Sequence, residues 1–187
     1  MTLRNFLLPA AALAAVATAV PAMAAITVLG NSAARLCYEA AESKSLGGQG
    51  LGQCNRALRD ENLSTRDAVA TFVNRGILKL RGGDTEAAII DFDNAIDMNP
   101  AEAEAYLNKG VATLRLGDGE RRTEAVRLFD TALAKNTKKP AIAYYGRAIA
   151  HELSGRLREA YRDYRQASAA APEWREPKAE LSRFTVR

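Results

Sequence analysis

Apolar residues recur along this chain at the three-and-four spacing of an amphipathic helix, and one arrangement of them returns three times. Residues 69–102 carry Phe72, Gly76, Gly83, Ala88, Phe92, Ala95 and Pro100. Residues 103–140 carry Tyr106, Gly110, Gly117, Ala125, Phe129 and Ala132, and close at Pro140. Residues 141–174 carry Tyr144, Ala148, Gly155, Ala160, Tyr164, Ala167 and Pro172. The first and third stretches are equal in length, and the second is slightly longer, mostly through an insertion around residues 119–121. Each stretch predicts a pair of helices. An aromatic opens the first helix, and a small residue four positions later lets the second helix come close. Gly83, Gly117 and Gly155 mark the turn, because glycine reaches positive φ freely. Pro100 and Pro172 end their stretches, because proline cannot continue a helix interior.

The flanks follow a weaker version of the same pattern. Residues 31–43 predict a helix with Ala33, Leu36, Cys37, Ala40 and Ala41 on a broad apolar face. A glycine cluster follows (Gly47, Gly48, Gly50, Gly52), and a second helix is predicted over residues 53–60. As a phosphate-binding loop the cluster is weak, since no strand precedes it; a mobile turn is the plainer reading. At the other end Trp174, Leu181 and Phe184 form a stripe, with Pro177 near a helix start. The start of the chain has a different character. Arg4, the uncharged residues 6–20, Pro21 and the small residues of Ala22-Met23-Ala24 make a three-part export signal with cleavage expected after Ala24. An uncleaved anchor over residues 6–29 competes with this, since that run is long enough to span a bilayer. Beyond Leu29 no apolar run approaches that length. The expected location is periplasmic or secreted.

The repeated residues resemble the tetratricopeptide repeat (TPR) family, whose small-x₃-aromatic core stands here as Ala88 and Phe92, Ala125 and Phe129, Ala160 and Tyr164. The resemblance covers residues 69–174. It implies an all-α TPR-type solenoid of antiparallel helix pairs within residues 67–174. A degenerate N-terminal helix pair over 25–66 and a capping helix over 175–187 would close its ends. In that frame Cys54 and Ala57 take the places of the aromatic and the alanine, and Cys37 lies on the facing helix. With export to an oxidising compartment a Cys37–Cys54 disulfide is expected, against two buried free thiols. The chain departs from the family in register. The usual leucine before the small residue is replaced by Arg75, Lys109 and Arg147, and the usual aromatic after it by Lys79, Thr113 and His151. Arg75 precedes Asp91, and Arg147 precedes Asp163, at one and the same sequence spacing. An ion pair inside each repeat is one reading and a basic ladder for an anionic ligand the other. In the second repeat Leu128 takes the equivalent position, so Lys109 has no such acid.

Composition removes several chemistries. One histidine and two cysteines cannot build a multi-histidine or four-cysteine metal site. His151 has no ligand or acid partner at useful spacing, and no nucleotide or hydrolase motif occurs. No enzyme, no metal and no cofactor are expected. The net charge of +4 is too mild to argue for nucleic acid. It is uneven: residues 25–120 carry net −4 and residues 121–187 net +7.

The distinctive surface is the inner side of the first helices. Val73, Asn74, Ile77, Leu80 and Arg81 form one stripe in the first repeat. Leu107, Asn108, Val111, Leu114 and Arg115 form its counterpart, and Tyr145, Gly146, Ile149 and Glu152 the third. A helix that is apolar on two sides expects cover. A partner peptide, a second subunit or the chain's own tail would fill the groove. Asn74 and Asn108 lie one repeat apart. Each offers a donor and an acceptor, which suits the N–H and C=O of an extended backbone; bonds to a neighbouring helix are the alternative. Arg81 and Arg115 would meet acidic groups on a ligand. The expected function is a non-enzymatic adaptor or assembly factor that binds a protein or peptide. A self-associating structural module, or an accessory that binds an anionic glycan or lipid head through the basic end, are the rivals. No nucleic acid and no stable membrane insertion after cleavage are expected.

Overall fold

A computed structural model describes residues 23–28, 32–43 and 49–184. Of the export signal expected over residues 1–24, residues 1–22 lie outside the described residues, so its expected role rests on the sequence. Among the described residues all regular structure is helical. The helices are α1 (Ala33–Glu42), α2 (Gln49–Asp60), α3 (Thr65–Arg81), α4 (Thr85–Met98), α5 (Ala103–Leu116), α6 (Gly119–Ala134), α7 (Pro140–Leu153), α8 (Leu157–Ala170) and α9 (Arg175–Leu181). Each packs on its neighbours in the chain. In addition α1, α3, α5 and α7 touch one another in succession, so the first helices form one continuous layer. This is the all-α solenoid of helix pairs that the repeat pattern predicts, with α9 closing it against α8.

Helix ends are set by local chemistry. Ser32, Ser64, Asp84 and Asp118 cap α1, α3, α4 and α6, each side chain accepting a first-turn N–H. Pro140 opens α7, where its missing N–H costs nothing. Gly83, Gly117 and Gly155 all turn with positive φ, between 73° and 91°.

The helix pairs close on aromatic rings seated against residues without a side chain. A Cβ at Gly76 would lie 2.5 Å from the Phe92 ring, and one at Gly110 would lie 2.9 Å from Phe129. Phe129 also fills the space at Gly146 in the next repeat, where a Cβ would sit 2.4 Å from the ring. Phe92 and Phe129 are fully buried, as are Ala88, Ala95, Ala125 and Ala132 around them.

Three expectations change. The insertion near residue 119 is not a longer turn: it is the first turn of α6, begun by the Asp118 cap. Arg122 in that turn donates to the carbonyls of Gly117 and Leu153, so it ties the turn to the end of α7. The glycine cluster is not all turn, because α2 starts at Gln49 and takes in Gly50 and Gly52. Gly50 is where α2 crosses α1: its Cβ would meet that of Ala40 at 2.5 Å. Finally, α1 begins at Ala33 and ends at Glu42, shorter than residues 31–43.

Cys37 and Cys54 are joined in a disulfide between α1 and α2, as the facing-helix arrangement predicts. Both are fully buried. Intact-mass analysis without reduction is therefore expected to find no alkylatable thiol. Cutting this short loop open should cost about 3 kcal/mol by the chain-entropy account.

Two glycine substitutions separate packing from propensity. Gly76→Ala drives a methyl into Phe92 and is expected to lower stability by about 1–3 kcal/mol. Gly52→Ala meets nothing within 4 Å and should raise it by up to about 1 kcal/mol, because alanine is the better helix former. Urea denaturation of both variants provides the comparison.

Candidate functional site: the inner groove

The stripe residues sit on the inner layer. Val73, Asn74, Ile77, Leu80 and Leu107 are fully buried, and Asn108, Val111, Leu114, Tyr145 and Ile149 nearly so. Part of their cover is the chain's own N-terminal segment, residues 23–28. Ala24 is buried in the main core, with Met23, Ala25 and Ile26 packed against it. Val28 is buried in a second cluster with Ala33, Ala34, Ala57 and Ala70. Thr27 faces out.

The inner asparagines hold this segment by its backbone. The Ile26 N–H donates to Asn74 Oδ1 at 2.8 Å, and Asn74 Nδ2 donates back to the Ile26 carbonyl at 2.7 Å. One repeat on, Asn108 Nδ2 donates to the Ala24 carbonyl at 3.3 Å. The N–H and C=O of Ile26 thus face one side chain, as those of a strand residue face one neighbour. The third repeat cannot add a rung, because Phe129 occupies the space at Gly146. So the asparagines bond a non-helical segment of the chain, and not a neighbouring helix.

The inner arginines do something else. Arg81 Nη1 donates to the Ser43 carbonyl at 2.8 Å, and Arg115 Nη1 to the Leu80 carbonyl. Burial lowers the Arg81 pKa from its ordinary value. Both thereby tie one helix pair to the next, which differs from their expected role toward a ligand's acids. Tyr145 leans on Trp174 with ring centroids 4.7 Å apart, and so joins α7 to the C-terminal cap. Glu152, the last inner residue of α7, accepts from the Tyr164 hydroxyl at 2.7 Å and pairs with Arg183. Burial raises the Tyr164 pKa, which keeps that hydroxyl a donor.

The basic residues before the small positions are bound to acids. Arg75 makes two hydrogen bonds to Asp91, at 2.9 and 2.7 Å, and Lys79 lies 2.8 Å from the same carboxylate. Arg147 grips Asp163 in the same forked way, with His151 beside it at 3.7 Å. Burial lowers the His151 pKa, while the hydrogen bonds to Asp163 raise that of Arg147. In the second repeat Leu128 replaces the acid, and Lys109 turns to Asp93 in the repeat before, at 2.7 Å.

That turn reveals a second rung that the sequence reading missed. Arg75 also donates to Asn55, and Arg147 to Asp130. Asn55, Asp93 and Asp130 each directly follow the core residue of a second helix, namely Cys54, Phe92 and Phe129. Their common register was visible in the sequence. The basic positions are thus a polar seam: a forked ion pair closes the first and third pairs, Lys109 lies 3.7 Å from Glu124 in the second, and each links back to the pair before.

Among the described residues no three metal-ligating side chains gather, and no helix is long and apolar enough to cross a membrane. A surface depression of about 330 Å³ lies beside α1, lined by Arg35, Leu36, Arg56 and Glu61 among others. The Glu61 carboxylate there already accepts the Ala33 and Ala34 N–H groups.

Fold and repeats together define a helical-repeat scaffold whose first helices form one continuous inner layer. The chain belongs to the tetratricopeptide repeat family, whose model matches residues 73–121 and 118–173. That family generally mediates protein–protein interaction. NADPH oxidase activator 1 of Rattus norvegicus is 38% identical over 73 residues; these are 39% of this chain and only 16% of that protein's length. Among solved structures, the Arabidopsis OM64 TPR domain is 27% identical with a TM-score of 0.59, covering 64% of this chain and 96% of that one. The first TPR of Spaghetti (RPAP3), bound to the HSP90 peptide SRMEEVD, is 23% identical with a TM-score of 0.56. It covers 62% of this chain and 88% of that one. MamA is 18% identical with a TM-score of 0.64 and 82% coverage of both chains.

The seam makes a stability prediction. Asp91→Ala leaves Arg75 and Lys79 facing each other in a mostly buried site and is expected to cost about 3 kcal/mol, a fall of roughly 6–12 °C in Tm. Asp93→Ala removes a half-exposed partner and should cost at most about 1 kcal/mol. Thermal melts of the two variants provide the check.

Proposed function

We propose that this protein is a non-enzymatic peptide-binding adaptor or assembly factor of the bacterial cell envelope. It takes an extended segment of its partner along the concave face. The observation that carries this reading is the paired hydrogen bond between Asn74 and the backbone of Ile26. A side chain that satisfies both polar groups of one residue holds a peptide without reading its side chain. Export to the envelope is supported by the three-part pattern of residues 1–24 and by the buried Cys37–Cys54 disulfide, which suits an oxidising compartment.

The Spaghetti TPR domain holds a peptide rich in acids, SRMEEVD. In this groove Arg81 and Arg115 are engaged with backbone carbonyls. The proposed ligand is therefore recognised by its backbone and apolar side chains, with no demand for acids. The positive excess of residues 121–187 lies partly in the seam, where Arg147 is fully engaged.

The double variant Asn74→Ala/Asn108→Ala tests the reading. A photoreactive residue at Val111 should crosslink a partner in cells, and the double variant should lower that yield several-fold. Its Tm should fall by roughly 6–12 °C, since the three hydrogen bonds lost contribute about 1 kcal/mol each. An unchanged yield would refute a backbone-reading groove. Capture lost with added salt and indifferent to the asparagines would point instead to a polyanion on the basic end.

A further inference from the structure

The occupant of the groove carries information about what else can sit there. We infer that residues 23–28 are a built-in stand-in for the ligand. The groove takes a peptide that offers the N–H and C=O of one branched apolar residue to Asn74, and it does so by displacing this segment. The inference rests on the peptide-binding reading above and adds the ligand's pattern and the competition.

The register comes from the segment itself. Two backbone positions, 24 and 26, meet two asparagines one repeat apart. Ala24 and Val28 are each 3% exposed, Ile26 is half-buried, and Thr27 faces solvent. Ala25 is half-buried like Ile26, and its N–H donates to the Met23 carbonyl at 2.9 Å, so the chain turns at Ala24 between the two asparagines. Beside Asn108 the segment places a small residue, Ala24. The middle takes a branched residue beside Asn74.

The attachments of the segment are unequal along its length. Val28 is anchored among α1, α2 and α3 through Ala33, Ala34, Ala57 and Ala70. Ile26 is held by two hydrogen bonds, and Ala24 by one longer bond. In the uncleaved chain release therefore begins at the Ala24 end and runs back to a base at Val28. Ala24 is also the residue after which the leader pattern places cleavage. Cleavage there takes the Ala24 carbonyl away, leaves the Asn74 rung filled and opens the Asn108 rung. An incoming peptide gains a first hold at Asn108 and then exchanges with Ile26.

A segment tethered next to its own site competes at high effective concentration. The apparent affinity for an external peptide is lowered by the fraction of molecules whose groove is open. Ile26→Pro removes the N–H that Asn74 accepts and leaves Val28 in place.

The probe is a fluorescein-labelled peptide with the sequence of residues 22–29, Ala-Met-Ala-Ala-Ile-Thr-Val-Leu. Its binding is read by polarisation against the protein as isolated from cells, whose N-terminus is fixed by mass spectrometry. The Ile26→Pro protein should bind the probe at least about tenfold more tightly than the unchanged protein. Adding Asn74→Ala should abolish the gain. In the unchanged protein the Ile26 amide should exchange with deuterium far more slowly than in the free peptide. That measurement stands even where the proline variant folds poorly. Equal, asparagine-dependent affinities for the two proteins would overturn the competition and leave the groove a peptide site. No binding to either, or binding indifferent to Asn74→Ala, would overturn the peptide reading as well. A dimer that dissociates on Ile26→Pro would show that the segment belongs to the groove of a second copy, and it too would overturn the inference. Free exchange of the Ile26 amide would do the same.

Discussion

The closeness of one aromatic ring to two backbones sets much of this structure. Phe129 lies against Gly110 in its own repeat and Gly146 in the next, and neither position has room for a Cβ. Phe92 does the same at Gly76. A ring that touches helix backbone on both sides fixes the separation of three helices at once, because close-packed interiors do not tolerate a displaced methyl. Ala88, Ala125 and Ala132 are buried in the same core. The asparagine ladder is subject to the same constraint. Its third rung would stand at Gly146, and the ring already holds that space. The number of inner asparagines that hold the N-terminal segment is therefore limited by core packing.

A second constraint follows from bringing helices so close. The positions flanking each small residue face the partner helix, and here all but Thr113 are basic residues where the family has leucine and an aromatic. Burying a charge is tolerated only when it is paired and hydrogen-bonded. Asp91 accepts two bonds from Arg75 and lies close to Lys79, while Asp163 stands in the same relation to Arg147 and His151. Where the acid is lost, the basic pair is lost with it: Leu128 comes with Thr113, and Lys109 turns outward to Asp93. The substitutions make sense as a set of three positions per repeat, each set satisfied within itself or against its neighbour.

How much of this the sequence disclosed depends on whether a feature is local or periodic. The helix pairs, their turns and the forked ion pairs were legible because each returns in register, and a recurrence at a near-constant interval exposes it. The contacts between repeats were half hidden. Asn55, Asp93 and Asp130 share a register that could have been noticed, but their chemistry differs, so identity alone does not reveal them. The insertion near residue 119 reads as a turn because it follows Gly117-Asp118. Aspartate after glycine serves equally as a helix cap, and the added residues became a helical turn fixed by Arg122. The groove's occupant was legible only as one of three candidates. An apolar, uncharged stretch such as residues 23–28 has no periodicity to set it against a partner. What places it is a pair of asparagines 48 and 84 residues away in sequence.

The second repeat shows how a solenoid absorbs irregularity. It has an extra turn at the start of α6, a residue at positive φ after its end in Asn136, and no acid at the clamp position. Any one of these would weaken a fold that depended on a single long-range contact. Here each is compensated within one neighbour. Arg122 carries the added turn onto the end of α7. Glu104 at the start of α5 accepts from the Thr137 hydroxyl and the Lys138 N–H, and so fastens the longer link into α7. Lys109 reaches back to Asp93, and Arg147 reaches back to Asp130. Because each repeat meets only its neighbours, local repair suffices, and the inner face stays continuous through the change. That continuity lets Asn74 and Asn108 address two positions, Ile26 and Ala24, of one segment, although the outer layer between them and Tyr145 is irregular.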